Sequence, residues 1–251
     1  MKNVALLVSD LVHAKRVYAQ LEGVVSVSLV IIENPVSKWG IVKRRFRRFG
    51  FLHTLGQVLT IVLVVPILKL LSAQRLQELS IASKEKDFPP NICHRVRSVN
   101  DEEVRSLLVE KGVDLVVVYG TRLISSKLLS VVQKPFINIH AGITPQFRGG
   151  HGAYWALAEG VPELAGVTVH KIDTGIDTGE VISQQGIVIT KNDTFVTYPL
   201  LQEQLGIFLL KECLENKKQY TVDVPVVFKD RLYAHPAIWE YIYNLLFKGV
   251  R

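Results

Sequence analysis

Polar residues that could do chemistry gather in residues 136–179, a stretch whose other segments have the apolar pattern of buried strands. Asn138 and His140 are two residues apart on one such segment, so on a β-strand their side chains share a face. Asp177 follows a second apolar run, within a glycine-containing turn. Amide and imidazole N–H groups can stabilise a developing oxyanion, and a carboxylate can help to move a proton.

The order and spacing of these residues resemble the formyltransferase family, whose members move a formyl group from 10-formyltetrahydrofolate to an amine. The resemblance is carried by the Asn-x-His pair, by Pro145 with Gly149 and Gly150 after it, and by Val169, His170, Asp177 and Gly179. It implies that Asn138 and His140 stabilise the oxyanion, and that Asp177 holds His140 and a water and relays the proton. By themselves, an Asn beside a His on a strand is usually a hydrogen-bonded core pair, and Asp-Thr-Gly is ordinary turn chemistry.

The resemblance also implies a folate pocket for the co-substrate 10-formyltetrahydrofolate. Residues 113–119 predict a central parallel strand, and in the family the residues after this strand surround the pteridine ring, largely through backbone groups. The expected folate-binding residues are Arg122, Leu123 and Ile124 on one wall and Asp173, Thr174 and Gly175 on the other. An alternative role for Arg122 is to cap the edge of the sheet.

The segment between the two catalytic motifs is the candidate for binding the amine acceptor. Glycines surround His151, which lets this loop approach a ligand closely. The candidate acceptor-binding residues are His151, Tyr154 and Trp155, with Trp155 as a flat apolar wall for a sugar ring or a base. Tyr154 and Trp155 could equally be core residues of a helix over 152–159. His170 lies inside a strand and is interpreted as a structural histidine.

Alternating apolar runs and amphipathic stretches predict an α/β fold with a Rossmann-like, mostly parallel sheet flanked by helices. Strands are predicted at 4–8, 25–33, 91–96, 113–119, 136–139, 167–172, 181–189 and 221–228, and helices at 11–22, 100–111, 152–159, 194–216 and 235–247. A catalytic domain over 1–216 and a strand and helix extension over 217–251 are expected.

Residues 37–90 do not match the family pattern and are predicted to form a helical insertion. A basic run interleaved with phenylalanine, at residues 43–48, precedes the almost wholly apolar residues 55–71. Three interpretations remain open: a helical hairpin packed on the domain or on a second subunit of a homodimer, a helix pair in peripheral contact with a membrane through residues 40–71, and a membrane span. Length and Pro66 argue against the span.

The 251 residues carry a net charge of +7, much of it in the basic run, so the charge is interpreted as a local feature without nucleic acid as a partner. The two cysteines, Cys93 and Cys213, are far apart and lack metal-ligand spacing, so no metal is expected and a reduced, cytoplasmic location is favoured. No signal peptide is recognised. Membrane contact would place the protein at the inner face of the membrane.

Two features bear on which amine is formylated. The segment after residue 216 is too short for the additional domain with which family members bind initiator tRNA, which disfavours tRNA. The turn after the first strand contains Ser9 and Asp10 but no glycine, which disfavours the phosphate of glycinamide ribonucleotide. The expected acceptor is a small-molecule amine, an amino sugar linked to a nucleotide and destined for surface polysaccharide. The alternatives are hydrolysis to formate, a glycinamide ribonucleotide-type acceptor, and a non-catalytic scaffold.

Overall fold

The structure is a computed structural model that describes residues 1–223 and 231–251. Its main feature is a seven-stranded sheet in the order β3-β2-β1-β4-β5-β7-β8. Strands β1 to β5 pair in parallel, and β7 is antiparallel to both β5 and β8. The predicted Rossmann-like α/β fold is therefore confirmed. The strand predicted at 221–228 falls mainly on residues outside those described.

The strands are β1 (Asn3–Val8), β2 (Ser26–Glu33), β3 (Cys93–Val96), β4 (Leu115–Tyr119), β5 (Phe136–His140), β6 (Phe147–Gly149), β7 (Gly166–Lys171), β8 (Val181–Gly186) and β9 (Arg231–Tyr233). The helices are α1 (Leu11–Leu21), α2 (Lys38–Leu59), α3 (Val65–Leu71), α4 (Ala73–Ala82), α5 (Glu102–Glu110), α6 (Ser126–Val132), α7 (Gly152–Ala158), α8 (Tyr198–Leu214) and α9 (Ile238–Lys248). A π-helical turn, Thr60–Val64, joins α2 to α3.

The central strands are continuous runs of Val, Ile and Leu because both faces of the sheet are covered by helices. Helices α1 and α8 pack on one face, and α5 and α6 pack on the other. At the closest approach of α8, a Cβ on Gly206 would lie 2.4 Å from the side chain of Ile139, so only glycine fits there. This contact holds α8 against the strand that carries Asn138 and His140.

The strand order reverses between β1 and β4, since β2 and β3 follow β1 on one side while β5 follows β4 on the other. In open parallel sheets, ligands bind in the crevice at the carboxyl ends of the strands around such a reversal. The loops after β1, β2 and β4 and the end of β5 meet at this edge, so the topology places the predicted site residues in the crevice.

Three helices differ from the prediction. Helix α6 was not predicted, and helix α9 begins at Ile238 rather than at residue 235. Helix α8 begins at Tyr198 rather than near residue 194, since residues 194–197 form a turn in which the Thr194 amide donates to the Thr197 hydroxyl and that hydroxyl bonds to Asp193.

The predicted insertion is helical and connects β2 to β3. Its first helix bends at Gly50, whose φ of +77° is in the left-handed region that favours glycine. The continuous segment Lys38–Leu71 is long and apolar enough to cross a membrane by length and composition, the one such segment among the residues that the structure describes. The chain then returns along α4, where Arg75 pairs with the buried Asp193 at 2.9 Å.

Candidate active site

Asn138 lies on β5 directly opposite His170 on β7, and the two side chains meet. The Asn138 amide nitrogen is 3.1 Å from Nε2 of His170, while Nδ1 of His170 is 2.7 Å from the Lys171 carbonyl oxygen. Because a carbonyl only accepts, Nδ1 carries the hydrogen and Nε2 accepts from Asn138. Burial lowers the pKa of His170, which favours this neutral form. His170 therefore fixes which way the Asn138 amide points.

Both ring nitrogens of the buried His140 face oxygen atoms. Nε2 is 2.9 Å from the carbonyl oxygen of Phe147, and Nδ1 lies 3.4 Å from Oδ2 of Asp177. The carbonyl takes the Nε2 hydrogen, so Nδ1 is the nitrogen that can bind a further proton, next to the carboxylate. The His140 N–H that was predicted to stabilise the oxyanion donates to the Phe147 carbonyl oxygen in this arrangement. The other ring nitrogen faces Asp177, so the side chain is placed for proton transfer together with that carboxylate.

Asp177 is held over His140 by backbone contacts. Its φ is +53°, an uncommon left-handed conformation for a residue other than glycine, and its Oδ2 accepts a 3.0 Å hydrogen bond from the Gly149 amide. At Gly179, a Cβ would lie 1.8 Å from the Lys171 carbonyl oxygen, so the loop can return to the strand only through glycine. The predicted cluster of Asn138, His140 and Asp177 is thus brought together in space.

Gly142 is a positioning residue that the sequence motif does not indicate. A Cβ at this position would lie 2.2 Å from the Phe147 carbonyl oxygen and 3.0 Å from Nε2 of His140. Any larger residue would therefore push apart the hydrogen bond that orients His140. The signal was available only as a glycine two residues after the histidine, which is not specific by itself.

A cavity of about 380 Å³ opens beside Asn138 and Asp177, between the loop after β4 and the loop after β7. The six predicted folate-binding residues all line it, together with Val118, Thr121, Ser125, Ser126, His170 and Ile172. Asn100 fixes the first loop, because its side chain donates to the Leu123 carbonyl oxygen at 2.8 Å and accepts from the Ser125 amide at 2.7 Å. Asp173 fixes the second loop by accepting from the Gly175 amide and the Thr178 hydroxyl.

The Arg122 guanidinium is directed away from this cavity. Its Nε lies 2.7 Å from Oε1 of the buried Glu33, and its Nη2 donates to the carbonyl oxygens of Asn34 and Arg97. The Arg122 amide also donates to Glu33, at 2.9 Å. These contacts agree with the alternative role in which Arg122 caps the sheet edge, and they leave its backbone and its two successors at the cavity wall.

A second, larger cavity of about 870 Å³ adjoins the first and shares Thr121, Arg122 and Leu123 with it. It lies at the carboxyl ends of β1, β2 and β4. Arg44 of α2 and Arg95 of β3 bring positive charge to its wall. Neither has an ion-pair partner within residues 1–223 and 231–251, so both are available to an anionic ligand.

The amino terminus of α1 borders this larger cavity and is capped by the carboxylate of Asp10. The Asp10 carboxylate caps the helix by accepting from the His13 amide at 2.9 Å, and its other oxygen lies 3.1 Å from Nδ1 of His13. A phosphate at this helix end would meet the Asp10 carboxylate, which repels it. The glycine-free sequence of this turn and the Asp10 cap therefore both disfavour phosphate binding at the start of α1.

The predicted acceptor residues Tyr154 and Trp155 are packed in an aromatic cluster with Phe147, Phe195, Tyr233 and Tyr241. The Tyr154 hydroxyl accepts from Asn244 at 3.0 Å, and the Trp155 indole donates to the Ala234 carbonyl oxygen at 2.7 Å. Neither residue lines the two cavities. The structure thus agrees with the core role that the sequence left open for both side chains.

His151 belongs to the same aromatic cluster rather than to the cavities. Its ring stacks on Phe195 at 4.6 Å and meets the ring of His235 edge-on at 4.7 Å. Burial, the neighbouring His235 and Arg45 lower the pKa of His151 to about 3, and burial and Arg45 lower that of His235 to about 4. Both rings are therefore neutral near pH 7 and act as packing groups.

A sequence profile of the formyl transferase family matches residues 53–203. The match includes residues 53–90, so the expectation that all of 37–90 lies outside the family pattern is wrong for this part. The methionyl-tRNA formyltransferase of Caldicellulosiruptor saccharolyticus is 33% identical over 131 residues, 51% of this chain and 42% of that protein. The chain thus spans less than half of that relative. Among solved structures, phosphoribosylglycinamide formyltransferase from Bacillus halodurans has a TM-score of 0.56 at 23% identity, over 86% of this chain and 94% of the other. A sugar N-formyltransferase from a Shewanella species has a TM-score of 0.52 at 16% identity, over 93% and 76%. Both structures share the fold.

Proposed function

Because the chain belongs to the formyl transferase family, we propose that it transfers a formyl group from 10-formyltetrahydrofolate to a primary amine, most specifically the amine of a nucleotide-linked amino sugar. The observation that carries the proposal is that Asn138 and Asp177 line a cavity formed by the predicted folate-binding loops, with the buried His140 in contact with Asp177. A scaffold protein would have no need of this arrangement.

The residues around the smaller cavity fit a flat heteroaromatic ring. Val118, Ile124 and Ile172 supply apolar walls, and the loop over 122–125 presents backbone groups whose positions are fixed by Asn100. Bound there, 10-formyltetrahydrofolate would supply an activated formyl carbon. The Asp173 loop forms the opposite wall, so the formyl group would lie towards Asn138 and Asp177.

Each site residue then has a distinct role in the proposed reaction. Asn138 donates one amide hydrogen to His170, and it can donate the second to the formyl oxygen as negative charge develops there. Nδ1 of His140 and the Asp177 carboxylate form a pair that can take the surplus proton of the attacking amine and pass it to the folate nitrogen that leaves when its bond to the formyl carbon breaks. The Phe147 carbonyl and the Gly149 amide hold this pair in position.

The larger cavity is the proposed acceptor site because it shares a wall with the folate cavity. Its volume of about 870 Å³ is in the upper range for small-molecule pockets, which suits a sugar with a nucleotide attached. Arg44 and Arg95 can pair with the phosphates of the nucleotide. The Asp10 cap disfavours the phosphate of glycinamide ribonucleotide at the start of α1.

The experiment is a spectroscopic assay of tetrahydrofolate release from 10-formyltetrahydrofolate. The acceptors are nucleotide-linked amino sugars, glycinamide ribonucleotide, methionyl-tRNA and buffer alone. We expect release that depends on an amino sugar, with a formamide product visible by mass spectrometry. Equal release in buffer would show hydrolysis to formate instead, and release only with methionyl-tRNA or glycinamide ribonucleotide would refute the amino sugar while keeping formyl transfer.

The acceptor site has its own variant test. Replacing Arg44 and Arg95 together by Gln should raise KM for the amino-sugar nucleotide about tenfold or more while leaving KM for folate unchanged, since each lost phosphate contact removes a charge-assisted hydrogen bond. The matched control is Arg97→Gln, because Arg97 is exposed on the same side but does not line the cavity. Equal effects of control and double variant would place the acceptor elsewhere.

A further inference from the structure

More than half of the large apolar side chains that are exposed among the described residues lie on two helical segments, Lys38–Leu71 and α9. The most exposed include Leu52, Leu70, Leu71, Leu246 and Phe247, each at least 70% accessible. We call the outward side of these two segments the apolar face. It is much richer in apolar side chains than the scattered apolar residues of an ordinary protein surface.

The polarity of the first segment is inverted relative to a helix on a soluble protein. Its protein-facing side carries Thr54, Gln57 and Thr60, all buried, and Gln57 donates to the His235 carbonyl oxygen at 2.9 Å. Its outward side is Leu, Val, Ile and Phe. An amphipathic helix in water buries its apolar side, so the outward side of this one is suited to an apolar medium.

Helix α9 repeats the inversion. Its buried positions include Asn244, which donates to the Tyr154 hydroxyl, and Tyr241. Its outward positions include Ile242, Leu246 and Phe247. Two helices that are far apart in the sequence have thus acquired the same unusual distribution, and a cause that acts on both at once must lie outside this chain.

The two segments form one continuous surface. Trp239 of α9 packs over Gly56 so closely that a Cβ there would lie 2.5 Å from the indole ring. His53 meets the same indole at 6.1 Å and lies 3.9 Å from the Glu240 carboxylate. Since α9 is fixed against the first segment at this point, their outward sides are presented together.

The first segment cannot act as an isolated transmembrane helix in this fold. Its inner side packs along the protein, with Leu68 in the aromatic cluster and Ser72 hydrogen-bonded to Thr194 at 2.9 Å. It also bends at Gly50. A spanning helix would be surrounded by lipid or by other spanning helices, whereas this one packs one of its sides against the protein.

Positive charge borders the apolar face. Lys43, Arg47 and Arg48 are exposed on the first arm of α2, and Lys69 and Lys248 are exposed on the later helices. A second copy of this chain docked on the face would bring these cations near their own counterparts, at a cost in repulsion. An anionic lipid surface instead attracts them, by about 1 kcal/mol for each basic residue near the surface.

The bend at Gly50 also creates an apolar groove of about 490 Å³ between the two arms of α2. Trp39 and Phe46 line it from one arm and Phe51 and Leu55 from the other, with Lys43 at its rim. A groove of this composition can hold part of an acyl chain while the lysine meets a lipid phosphate. Trp and Phe beside basic residues are typical of helices that lie in the membrane interface.

We propose that the apolar face, formed by Lys38–Leu71 and α9 together, docks in the plane of an anionic lipid bilayer. The bilayer covers the outward Leu, Ile, Val and Phe side chains, and the basic residues pair with lipid phosphates at its margin. Ile41 and Arg44 of the docked arm also line the larger cavity, so the proposed acceptor site lies directly behind the membrane-contacting helix.

The test uses the intact chain in a flotation assay with phosphatidylcholine vesicles, with and without phosphatidylglycerol. The triple variant Leu52→Gln, Leu71→Gln, Phe247→Gln should lower binding at least about tenfold, because each side chain would otherwise enter the lipid. The matched control, Val109→Gln, Val131→Gln, Val188→Gln, replaces exposed apolar residues outside the face and should bind like wild type. Lys43→Gln and Arg47→Gln should each weaken binding to anionic vesicles roughly fivefold.

Three results would overturn the proposal. One is equal binding of the triple variant and its matched control, or no binding of wild type to anionic vesicles. A second is a dimer in sedimentation velocity without lipid that the triple variant dissociates, which would assign the face to a second copy. A third is that the membrane-bound fraction of this protein resists extraction by alkaline carbonate, which would indicate a transmembrane span. All substituted side chains are exposed, and circular dichroism checks that each variant keeps its fold.

Discussion

The carboxyl edge of the sheet and the apolar face treat polar side chains in opposite ways. At the sheet edge, Asn138 and Asp177 line an open cavity and His140 is buried next to Asp177, and each of the three is held by a defined hydrogen bond or ion contact. On the apolar face, Gln57 and Asn244 point into the protein while Leu and Phe point outward. The first arrangement suits the binding of a polar substrate from water, and the second suits the burial of an apolar surface away from water.

The contrast shows that exposure has to be interpreted together with what supports it. A polar group at a cavity wall is informative when its orientation is fixed from behind, as His170 fixes Asn138. An exposed apolar side chain is informative when the same helix buries polar side chains that would ordinarily face the solvent, as it does with Gln57 and Thr60. Both regions therefore depart from the usual distribution for a reason that lies outside the chain, a substrate in one and a surface in the other.

The largest expected effect is at the sheet edge. Asp177→Asn keeps the size of the side chain but removes the charge that pairs with Nδ1 of His140, so tetrahydrofolate release should fall by about 100- to 10000-fold. Asp173→Asn is the matched control, because Asp173 organises the neighbouring loop without contacting His140. A similar loss in both variants would mean that Asp177 acts through loop structure and not through the proton.

Next in size is the loss of the amide donor. Asn138→Ala should lower kcat by about 100- to 1000-fold, the usual effect of removing one oxyanion donor. Asn100→Ala, which loosens the folate loop at Leu123 and Ser125, should mainly raise KM for 10-formyltetrahydrofolate. Steady-state kinetics separates the two. A kcat for Asn138→Ala within threefold of wild type would exclude the donor role, because it corresponds to a change of at most about 0.7 kcal/mol in the activation free energy.

A third prediction concerns acid stability, to which the aromatic cluster between the two regions contributes. The pKa values of His151 and His235 are lowered by burial to about 3 and about 4. Below the unfolded pKa of about 6.5, the unfolded chain binds more protons than the folded one. The free energy of unfolding therefore decreases as the pH is lowered, by up to about 1.4 kcal/mol per pH unit for each histidine. Urea denaturation between about pH 7 and about pH 5 measures this slope.

His151→Gln should reduce that slope, since it removes one of the two groups. Val188→Gln, at an exposed residue that does not titrate, is the control and should leave the slope unchanged. An unchanged slope in His151→Gln would contradict the assignment of the acid sensitivity to the buried cluster.

The smallest expected effects test the inverted helix directly. Gln57→Ala removes the hydrogen bond to the His235 carbonyl and should lower the free energy of unfolding by about 1 to 2 kcal/mol. Leu70→Gln on the outward side should change it by no more than about 0.5 kcal/mol, because that side chain is exposed. Thermal or urea unfolding in lipid-free buffer compares them. The reverse order of the two effects would show that the outward side is packed in solution.

Much of the fold was predictable because local patterns report on burial. The continuous apolar runs at β1, β2 and β4 predict strands of a buried sheet, and the family resemblance then assigns folate binding to the loops after β4 and after β7. Helix α6 and strands β6 and β9 were not predicted. Strands β6 and β9 have three residues each, too few for a strand pattern, and they pair only because the fold brings them together.

The aromatic residues after Gly150 show the limit in the site itself. His151, Tyr154 and Trp155 have types suited to a sugar, yet the structure packs them against Phe195, Tyr233 and Tyr241. Sequence proximity to the catalytic motif could not distinguish a cavity wall from a core. Arg44 and Arg95, which line the larger cavity together with Arg122, come from the insertion and from β3, far from the motif.

The sequence alone determined the side-chain chemistry that is available: an Asn and a His with a shared facing, a carboxylate in a glycine turn, and a long apolar segment behind a basic run. Tertiary structure decided how these are used. Whether Nδ1 of His140 meets a carboxylate, which way Asn138 points, and that α9 joins the apolar face all depend on contacts between distant segments. A hydrogen-bond partner or a covering surface is a property of position in space, which residue spacing along the chain does not fix.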